Sequence, residues 1–373
     1  MIIAFKNKSL RNFYSKKENR LFSDVSDHWI PLHKELGYPV TTLDKVKGKY
    51  IYYDNVRKYS HDIIKNNEFK LLPDKVKDDI NNDKCFYIIN DSEIDLSGGN
   101  WIDTYPLLLK EAGIKPNKCK ILTSKYNILC EPYKSNVIKT YHWDIFEKYV
   151  QNHDQPEIVK VLDDNPKKFL CLNRSHSNTI AKSKSMFMYK VMPMIEDFNA
   201  SINNGVYDLV YDVKFKQRID NGFASKDNDL SYWSRENCIN IVTESACHSI
   251  DNTNNGINIT EKTYKAIMLK MPFILVGTQY SLKVLKQQGY KTFNNLWDES
   301  YDNIYNFDDR INAVVELVKE LRTKNLKKLV LDNLDILEHN YNNFISRKSK
   351  LKDLKKDIER WFNDITHEST SNP

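Results

Sequence analysis

Short apolar runs alternate with amphipathic stretches in the first third of the chain. Three runs have the length of buried β-strands: Tyr50–Tyr53, Cys85–Asn90 and Cys119–Thr123. Helical periodicity is found between them, over Lys58–Asn66 and over Trp101–Ala112, which is followed by a stop at Gly113. Strands that alternate with helices predict an α/β layer structure built on a parallel sheet.

A second α/β pattern follows the polar stretch Asn152–Pro166, which is typical of a connection between domains. Its predicted strands are Phe169–Leu172, Cys238–Val242, Phe273–Val276 and a short Lys291–Phe293. Its predicted helices are Asn178–Asp197, Thr260–Leu269, Ser281–Gln288, a helical region from Asp308 onward, and Ser349–Ile365. The predicted domains are therefore 1–155 and 156–345, with a C-terminal helix and tail at 346–373.

This order of elements predicts two Rossmann-like α/β domains that face a cleft, with C-terminal helices crossing back. Ligands of such sheets bind beyond the carboxyl ends of the strands. Polar residues that directly follow a predicted strand are therefore the candidates for chemistry.

The charge of the chain is unevenly distributed. The 373 residues carry 56 basic and 50 acidic side chains, which gives a net charge of +6. Residues 1–77 hold 16 Lys/Arg and 9 Asp/Glu, a balance of +7, so the remainder sums to −1. A basic segment of this kind suits an anionic partner such as nucleic acid, and it equally describes a solvated lysine-rich surface.

Composition excludes several protein classes. No stretch approaches 18 apolar residues, and the N-terminus lacks the apolar core of a signal peptide, so we expect no membrane span and a cytoplasmic protein. The six cysteines have no C-x-x-C or zinc-finger spacing. They are expected to be buried, reduced thiols.

Several catalytic motifs are missing from the sequence. It has no G-x-x-x-x-G-K-[ST], G-x-G-x-x-G, G-x-S-x-G or H-E-x-x-H pattern, which disfavours P-loop NTPases, classical dehydrogenases, serine hydrolases and zincins. One D-x-D occurs at Asp227–Asp229, in a polar loop rather than after a strand. We therefore expect no metal site and no prosthetic group.

The segment from Val242 to Gly277 is the most informative. A predicted strand delivers Glu244 at its carboxyl end, and Thr260-Glu261-Lys262 then opens a helix with Thr260 as its N-cap. Free N–H groups at a helix N-terminus suit a phosphate, and Lys262 runs against the helix dipole unless an anion lies beside it. Glu261 can accept two ribose hydroxyls. Alternatively, Glu261 caps the helix and Lys262 is solvated.

Two other strand ends carry candidate residues. Asn173 and Arg174 follow a strand, where an arginine can bind phosphate through two hydrogen bonds. Asp91 and Glu93 directly follow the strand Cys85–Asn90, where a general base for a bound ligand is expected. The alternatives are an ordinary polar turn and a loop carboxylate.

A further cluster combines aromatic and acidic residues. It contains Trp297, Asp298, Glu299, Tyr301 and Asp302. The combination suits recognition of a sugar or a base, and it equally suits a structural corner.

The order of these segments resembles a known family. F-L-C-L-N-R, V-T-E-S, I-T-E-K-T-Y-K-A-I, P-F-I-L-V-G, G-Y-K-T-F and D-E-S-Y-D resemble a group of phage and giant-virus glycosyltransferases and, more distantly, the α-1,3-fucosyltransferases. The resemblance covers residues 167–302 and implies a donor-binding domain of GT-B type. The sequence departs from the fucosyltransferases at Ser245, where they have asparagine, and lacks the H-R pair that related viral sequences carry after the L-N strand.

The resemblance implies roles for individual residues. Glu244 resembles the glutamate of the fucosyltransferase F-E-N segment, Glu261 the ribose-binding glutamate, and Lys262 the lysine that contacts the donor diphosphate. Arg174 is an inexact match to the family's phosphate-binding arginine. Asn173 and Thr260 join the predicted donor site through their positions at the strand end and at the helix N-cap. The resemblance implies an inverting reaction, and stabilisation of the diphosphate by lysine and arginine needs no metal.

The sequence thus predicts a glycosyltransferase that uses a GDP- or UDP-sugar. The acceptor is either a glycan or a hydroxylated base in phage DNA, such as hydroxymethylated DNA, and Asp91 or Glu93 is the predicted base. The alternative is a non-catalytic protein that keeps the fold and binds a nucleotide or a nucleic acid.

Overall fold

The chain folds into two compact units in a computed structural model. The structure describes residues 2–5, 37–55, 67–90, 101–123, 125–126, 140–142, 159–174, 186–203, 208–210, 231–244, 257–346, 355–356, 358–360 and 363. The first unit comprises Met1–Ile145, Thr253–Asn255 and Arg347–Pro373, and the second comprises Phe146–Asn252 and Gly256–Ser346. The C-terminal segment, which the sequence analysis set apart as a helix and tail, is therefore grouped with the first unit.

The first unit is built on a six-stranded parallel sheet. Its strands are β1 (Ile3–Phe5), β2 (Val40–Thr42), β3 (Tyr50–Asn55), β4 (Cys85–Asn90), β5 (Cys119–Thr123) and β7 (Thr140–His142), in the order β2-β1-β3-β4-β5-β7. The short strand β6 (Lys125–Tyr126) is separate from this sheet. Every pairing between neighbours is parallel. Parallel pairing requires crossovers, and helices lie between β3 and β4 and between β4 and β5.

Two helices of the first unit pack on an aromatic core. They are α1 (Asp74–Asn81) and α2 (Trp101–Glu111), and short 3₁₀ helices cover Glu68–Leu71 and Pro116–Lys118. Phe69 meets Tyr105 edge-on, with ring centroids 5.7 Å apart. The predicted stop after α2 is confirmed, because Gly113 adopts φ +76°, a conformation that costs glycine little.

The C-terminal helical residues are tied to the first unit around Tyr38. The Tyr38 hydroxyl donates to Glu359 Oε1 at 3.1 Å, and Lys355 Nζ lies 5.1 Å from the centre of the tyrosine ring. Ile358 is buried beside them. These contacts give the predicted last helix an apolar anchor and a polar one.

The second unit contains a five-stranded sheet. Its strands are β8 (Lys167–Arg174), β9 (Phe198–Asn203), β10 (Asp208–Val210), β11 (Asn237–Thr243) and β13 (Phe273–Val276), in the order β10-β9-β8-β11-β13. All pairings are parallel except that of β10 with β9. The two-residue strand β12 (Ile257–Asn258) lies outside this sheet. The carboxyl ends of β8, β11 and β13 therefore lie along one edge.

Helices of the second unit follow the apolar periodicity of the sequence. They are α3 (Ser231–Glu236), α4 (Glu261–Met268), α5 (Ser281–Gln287), α6 (Phe307–Leu321), α7 (Leu326–Leu331) and α8 (Leu334–Ser346). In α6 the side chain of Asn306 caps the N-terminus by accepting from Asp308 N and Asp309 N. The apolar face of α6 is buried at Ile311, Val314 and Val318. Both units are α/β with parallel strands, as the sequence predicts.

One predicted strand is wrong, and one predicted helix changes type along its length. Within the helix predicted over Asn178–Asp197, residues 186–191 are α-helical and Met192–Asp197 form a 3₁₀ helix, while 178–185 lie outside the described residues. β9 follows directly after the predicted end of this helix. The strand predicted over Lys291–Phe293 does not form. The side-chain amide of Asn340 bonds both Lys291 N and Lys291 O at 2.8 Å, and the Glu299 carboxylate accepts from Phe293 N at 2.7 Å. Side chains therefore take the place of a neighbouring strand.

Other expectations concern cysteines and membrane segments. Cys85, Cys119, Cys171 and Cys238 are buried and free, which confirms the prediction for the cysteines in the described residues. Within the described ranges, none of the helices combines the length and the apolar character needed to cross a bilayer. The helix predicted at Lys58–Asn66 lies outside the described residues.

Candidate functional site

Three neighbouring strands of the second sheet end at the same edge, two of them in polar side chains. β8 ends in Asn173 and Arg174, β11 is followed by Glu244, and β13 is followed by Gly277. Since β8 and β13 flank β11 on either side, these residues lie along one edge. That edge is where ligands of open α/β sheets bind.

Asn173 joins the ends of β8 and β11. Its Oδ1 accepts a hydrogen bond from Thr243 Oγ1, and its Nδ2 donates to Cys171 Sγ at 3.4 Å. Asn173 is completely buried, and Thr243 is nearly so. Both the oxygen and the nitrogen of the side-chain amide are thus used inside the protein, and the residue fixes the edge rather than reaching solvent.

Glu244 connects β11 to the start of α4. Its Oε1 accepts from Thr260 N at 3.0 Å and from Thr263 Oγ1 at 2.7 Å, and its Oε2 accepts from Thr260 Oγ1. Only 1% of the residue is exposed. A buried carboxylate is tolerated when hydrogen bonds satisfy it. The anion next to the positive end of the helix dipole therefore belongs to the protein.

Thr260 links this buried network to Lys262 through hydrogen bonds. It is the N-cap of α4, and its Oγ1 lies 3.1 Å from Lys262 Nζ and 3.4 Å from Lys262 N. Lys262 Nζ also donates to Glu261 Oε1 at 2.9 Å, with 26% and 19% of the two side chains exposed. Of the buried network, Glu261 and Lys262 are the members that reach solvent.

Lys265 extends this charged group, and the sequence analysis did not identify it. It follows Glu261 by four residues and Lys262 by three, so that all three lie on one face of α4. Although part of the side chain reaches solvent, desolvation lowers the pKa of Lys265 to about 8. The charge of Glu261 raises this pKa and that of Lys262 lowers it further. The spacing of the charged residues within I-T-E-K-T-Y-K is the sequence signal by which Lys265 could have been found.

No protein-family model matches the chain, and no curated protein matches it. Among solved structures, the chain is similar to a DNA-modifying enzyme, β-glucosyltransferase, studied in the presence and absence of uridine diphosphoglucose. Identity is 14% over 97% of this chain and 100% of that chain, with a TM-score of 0.47. A structure of T4 phage BGT with its UDP-glucose substrate is 13% identical over 97% of this chain and 99% of that chain, with a TM-score of 0.40.

A structure of trehalose-6-phosphate synthase is 11% identical over 89% of this chain and 76% of that chain, with a TM-score of 0.34. The resemblance to the fucosyltransferases rests on motifs alone.

The aromatic and acidic cluster forms a structural corner. Trp297, Glu299, Tyr301 and Asp302 are all buried. Asp302 accepts from Leu282 N and Lys283 N at the start of α5, and desolvation raises its pKa to about 6. These side chains are engaged within the protein, which favours the structural alternative over sugar recognition.

Gly277 permits the close approach of β13 to α5 in this corner. A Cβ at this position would lie 2.8 Å from Ser281 Oγ. Arg310 Nε donates to Gly277 O at 3.0 Å and fixes the turn from the other side. The loop that follows β13 is therefore held by the protein itself.

Several predicted site residues lie outside the described part of the chain. Asp91 and Glu93 belong to 91–100, and the D-x-D at Asp227–Asp229 belongs to 211–230. The backbone of Arg174 ends β8, while its side chain is outside the description. Their roles stay predictions.

Replacement of Glu244 by alanine is expected to destabilise the second unit. The change leaves the N–H of Thr260 and the hydroxyls of Thr260 and Thr263 buried without their acceptor. We expect a loss of about 3 kcal/mol in the free energy of unfolding, measured by urea denaturation. The control is Glu316→Ala, since Glu316 is exposed in an ion pair with Lys319. A loss no larger than that of the control would show that the network contributes little.

Proposed function

We propose that the protein is a nucleotide-sugar-dependent glycosyltransferase. One observation carries the proposal: a buried chain of hydrogen bonds from Glu244 through Thr260 holds Glu261 and Lys262 at the carboxyl edge of a parallel sheet. A carboxylate beside an ammonium offers acceptors for ribose hydroxyls and a cation for a diphosphate. Rigid support of this kind is what a binding site for a charged donor requires.

In this proposal the donor-site residues divide into two groups. Glu261 accepts hydrogen bonds from the ribose, while Lys262 and Arg174 bind the diphosphate. Asn173, Glu244 and Thr260 are positioning residues, because each is at most 3% exposed and bonded within the protein. The phosphate-binding role that the sequence analysis gave to the helix N-terminus is therefore assigned to the lysine, since Glu244 lies at that N-terminus.

The proposed reaction transfers the sugar in a single displacement. Asp91 or Glu93 removes the proton of the acceptor hydroxyl, whose oxygen forms a bond to the anomeric carbon while the bond to the diphosphate oxygen breaks. The configuration inverts, and the nucleoside diphosphate leaves. Lys262 and Arg174 stabilise the negative charge that develops on it. No metal is included in the proposal.

We propose a hydroxylated base in DNA as the first acceptor to test. The +7 balance of residues 1–77 supports a polyanionic acceptor. A base within a duplex has to be flipped out before transfer. A neutral glycan is the other acceptor, and the two differ in salt dependence because phosphate contacts release counterions.

The decisive experiment measures transfer from radiolabelled UDP- and GDP-sugars to hydroxymethylated DNA and to glycan acceptors. Each reaction is run with EDTA and with Mn²⁺, and at low and high salt. We expect transfer to DNA that persists in EDTA and falls steeply with salt. The matched variant Asp91→Asn/Glu93→Gln should bind the donor and transfer nothing.

Each other outcome has a defined meaning. Transfer by the double variant would remove both carboxylates from the role of base. Transfer that requires Mn²⁺ would overturn the metal-free mechanism. A protein that binds nucleoside diphosphates and transfers nothing to any acceptor would be the non-catalytic binding protein. For a ligand at 100 times its Kd, thermal unfolding should show about 2.7 kcal/mol of stabilisation.

A further inference from the structure

The exposed surface of α4 consists of charged residues. Of its eight residues, Glu261, Lys262 and Lys265 are partly exposed, and the other five are buried. Helical spacing places Lys265 one turn beyond both of the others, on the same face. The partly exposed residues of this short helix at the edge of the sheet are therefore one glutamate and two lysines.

This composition suits a ligand with more than one negative charge. Glu261 and Lys262 are already paired at 2.9 Å, so their charges offset each other. The second ammonium gives the face a net positive charge. A diphosphate carries at least two negative charges, and its two phosphoryl groups can be met by two cations one turn apart on a helix.

We infer that Lys265 is the second cation of the diphosphate site, one turn beyond Lys262 on α4. The inference rests on the proposed function, because it concerns the same site, and it adds a residue that discriminates a nucleoside diphosphate from a nucleoside. Lys262 is ordered by Thr260 and Glu261, and the charges of Glu261 and Lys262 both act on Lys265.

The surroundings of Lys265 make its charge dependent on the ligand. Its pKa is lowered to about 8 by desolvation, so that the free protein loses this charge within the pH range of an ordinary assay. A bound diphosphate favours the charged ammonium and raises the pKa again. Binding therefore takes up a proton near pH 8, and the affinity falls as the pH rises above it.

Other ionisable groups lie on α4 and on the elements packed against it. Glu261 and Lys262 lie on α4 itself, and Glu244 follows β11 with its carboxylate bonded to Thr260 and Thr263. Further groups are Cys238 on β11 and Asp335, Glu338 and His339 on α8. Glu338 is bonded to Lys270 and His339 to Gly289 O, and β13 contributes apolar residues.

The test compares wild type with Lys265→Gln and Lys265→Arg by titration calorimetry. The probes are UDP, GDP and the corresponding nucleosides, at pH values from 7 to 9.5. For Lys265→Gln we expect the affinity for the nucleoside diphosphate to fall roughly tenfold or more, with the nucleoside affinity unchanged. Lys265→Arg should keep the affinity and lose its pH dependence, because arginine stays charged throughout.

The outcomes separate this inference from the proposed function. If wild type binds no nucleoside diphosphate, the proposed function itself fails. If wild type binds one and Lys265→Gln binds it equally well, only the role of Lys265 is overturned. A wild-type affinity that stays constant from pH 7 to 9.5 also overturns it, and that measurement needs no variant. Lys319→Gln on α6 is the control for loss of an exposed lysine.

Discussion

Replacement of Lys262 by alanine is expected to lower kcat roughly 10²–10³-fold, the usual effect of removing one group that stabilises a developing oxyanion. In the proposed reaction Lys262 meets the diphosphate as it leaves, when its negative charge is greatest. Stability should change little, because the pair with Glu261 is partly exposed and such pairs contribute up to about 1 kcal/mol. Steady-state kinetics with the identified donor and urea denaturation measure the two effects.

Two comparisons make the Lys262 result specific. Lys262→Arg keeps the positive charge and should recover part of the rate. Lys319→Ala removes a lysine that is likewise paired with a glutamate, Glu316, on an exposed face of α6, and should leave kcat unchanged. A Lys262→Ala enzyme with wild-type kcat would contradict the donor site proposed here.

Replacement of Lys160 by methionine is expected to remove a large pH dependence of stability. Lys160 is 5% exposed; its Nζ donates to Ser234 O and lies 3.1 Å from Ser234 Oγ. Desolvation lowers its pKa from 10.5 to about 7, although the nearby Cys238 raises it slightly. Because the unfolded chain keeps its proton between pH 7 and 10.5 and the folded protein does not, the stability of wild type rises with pH over that interval.

The size of this effect follows from the shift. A difference of about 3.5 pKa units corresponds to roughly 5 kcal/mol at most between pH 7 and 10.5. The free energy of unfolding of Lys160→Met minus that of wild type should therefore fall by a similar amount over the interval. Urea denaturation at pH 7, 8, 9 and 10 measures it, with the exposed Lys319→Met as control. Equal slopes for Lys160→Met and wild type would show that Lys160 stays charged when buried.

Local patterns predict the strands that contain continuous apolar runs, and they miss β1, β2, β7, β9 and β10. Cys85–Asn90, Cys119–Thr123 and Phe273–Val276 have the bounds that the apolar runs indicate. The end of the helix predicted over Ser281–Gln288 is also correct to within one residue, and the glycine that follows, Gly289, has φ +83°. Burial of a continuous apolar run and a left-handed turn are properties of a few adjacent residues, and the sequence records them directly.

β9 was missed for the opposite reason. F-N-A-S-I-N is half polar, and its local pattern indicates no strand. Its place in the sheet comes from parallel pairing with β8 and from Phe198, whose ring lies 4.9 Å from that of Phe169. Partners about thirty positions away decide such a strand, and tertiary context overrides its weak local preference.

The candidate site likewise combines features that are local in the sequence with features that depend on distant residues. The sequence alone determined the α/β class, the helix that begins at Thr260, and the residue types that suit a nucleotide: a carboxylate and a lysine in the first turn. Only the tertiary structure decided which of them reach a ligand. Asn173 bonds Thr243 across 70 positions and Glu244 bonds Thr260 across 16, so both are buried while Glu261 and Lys262 stay accessible. Periodicity and capping are local and can be read from the chain, whereas the partners of a buried polar group are chosen by the packing of distant segments.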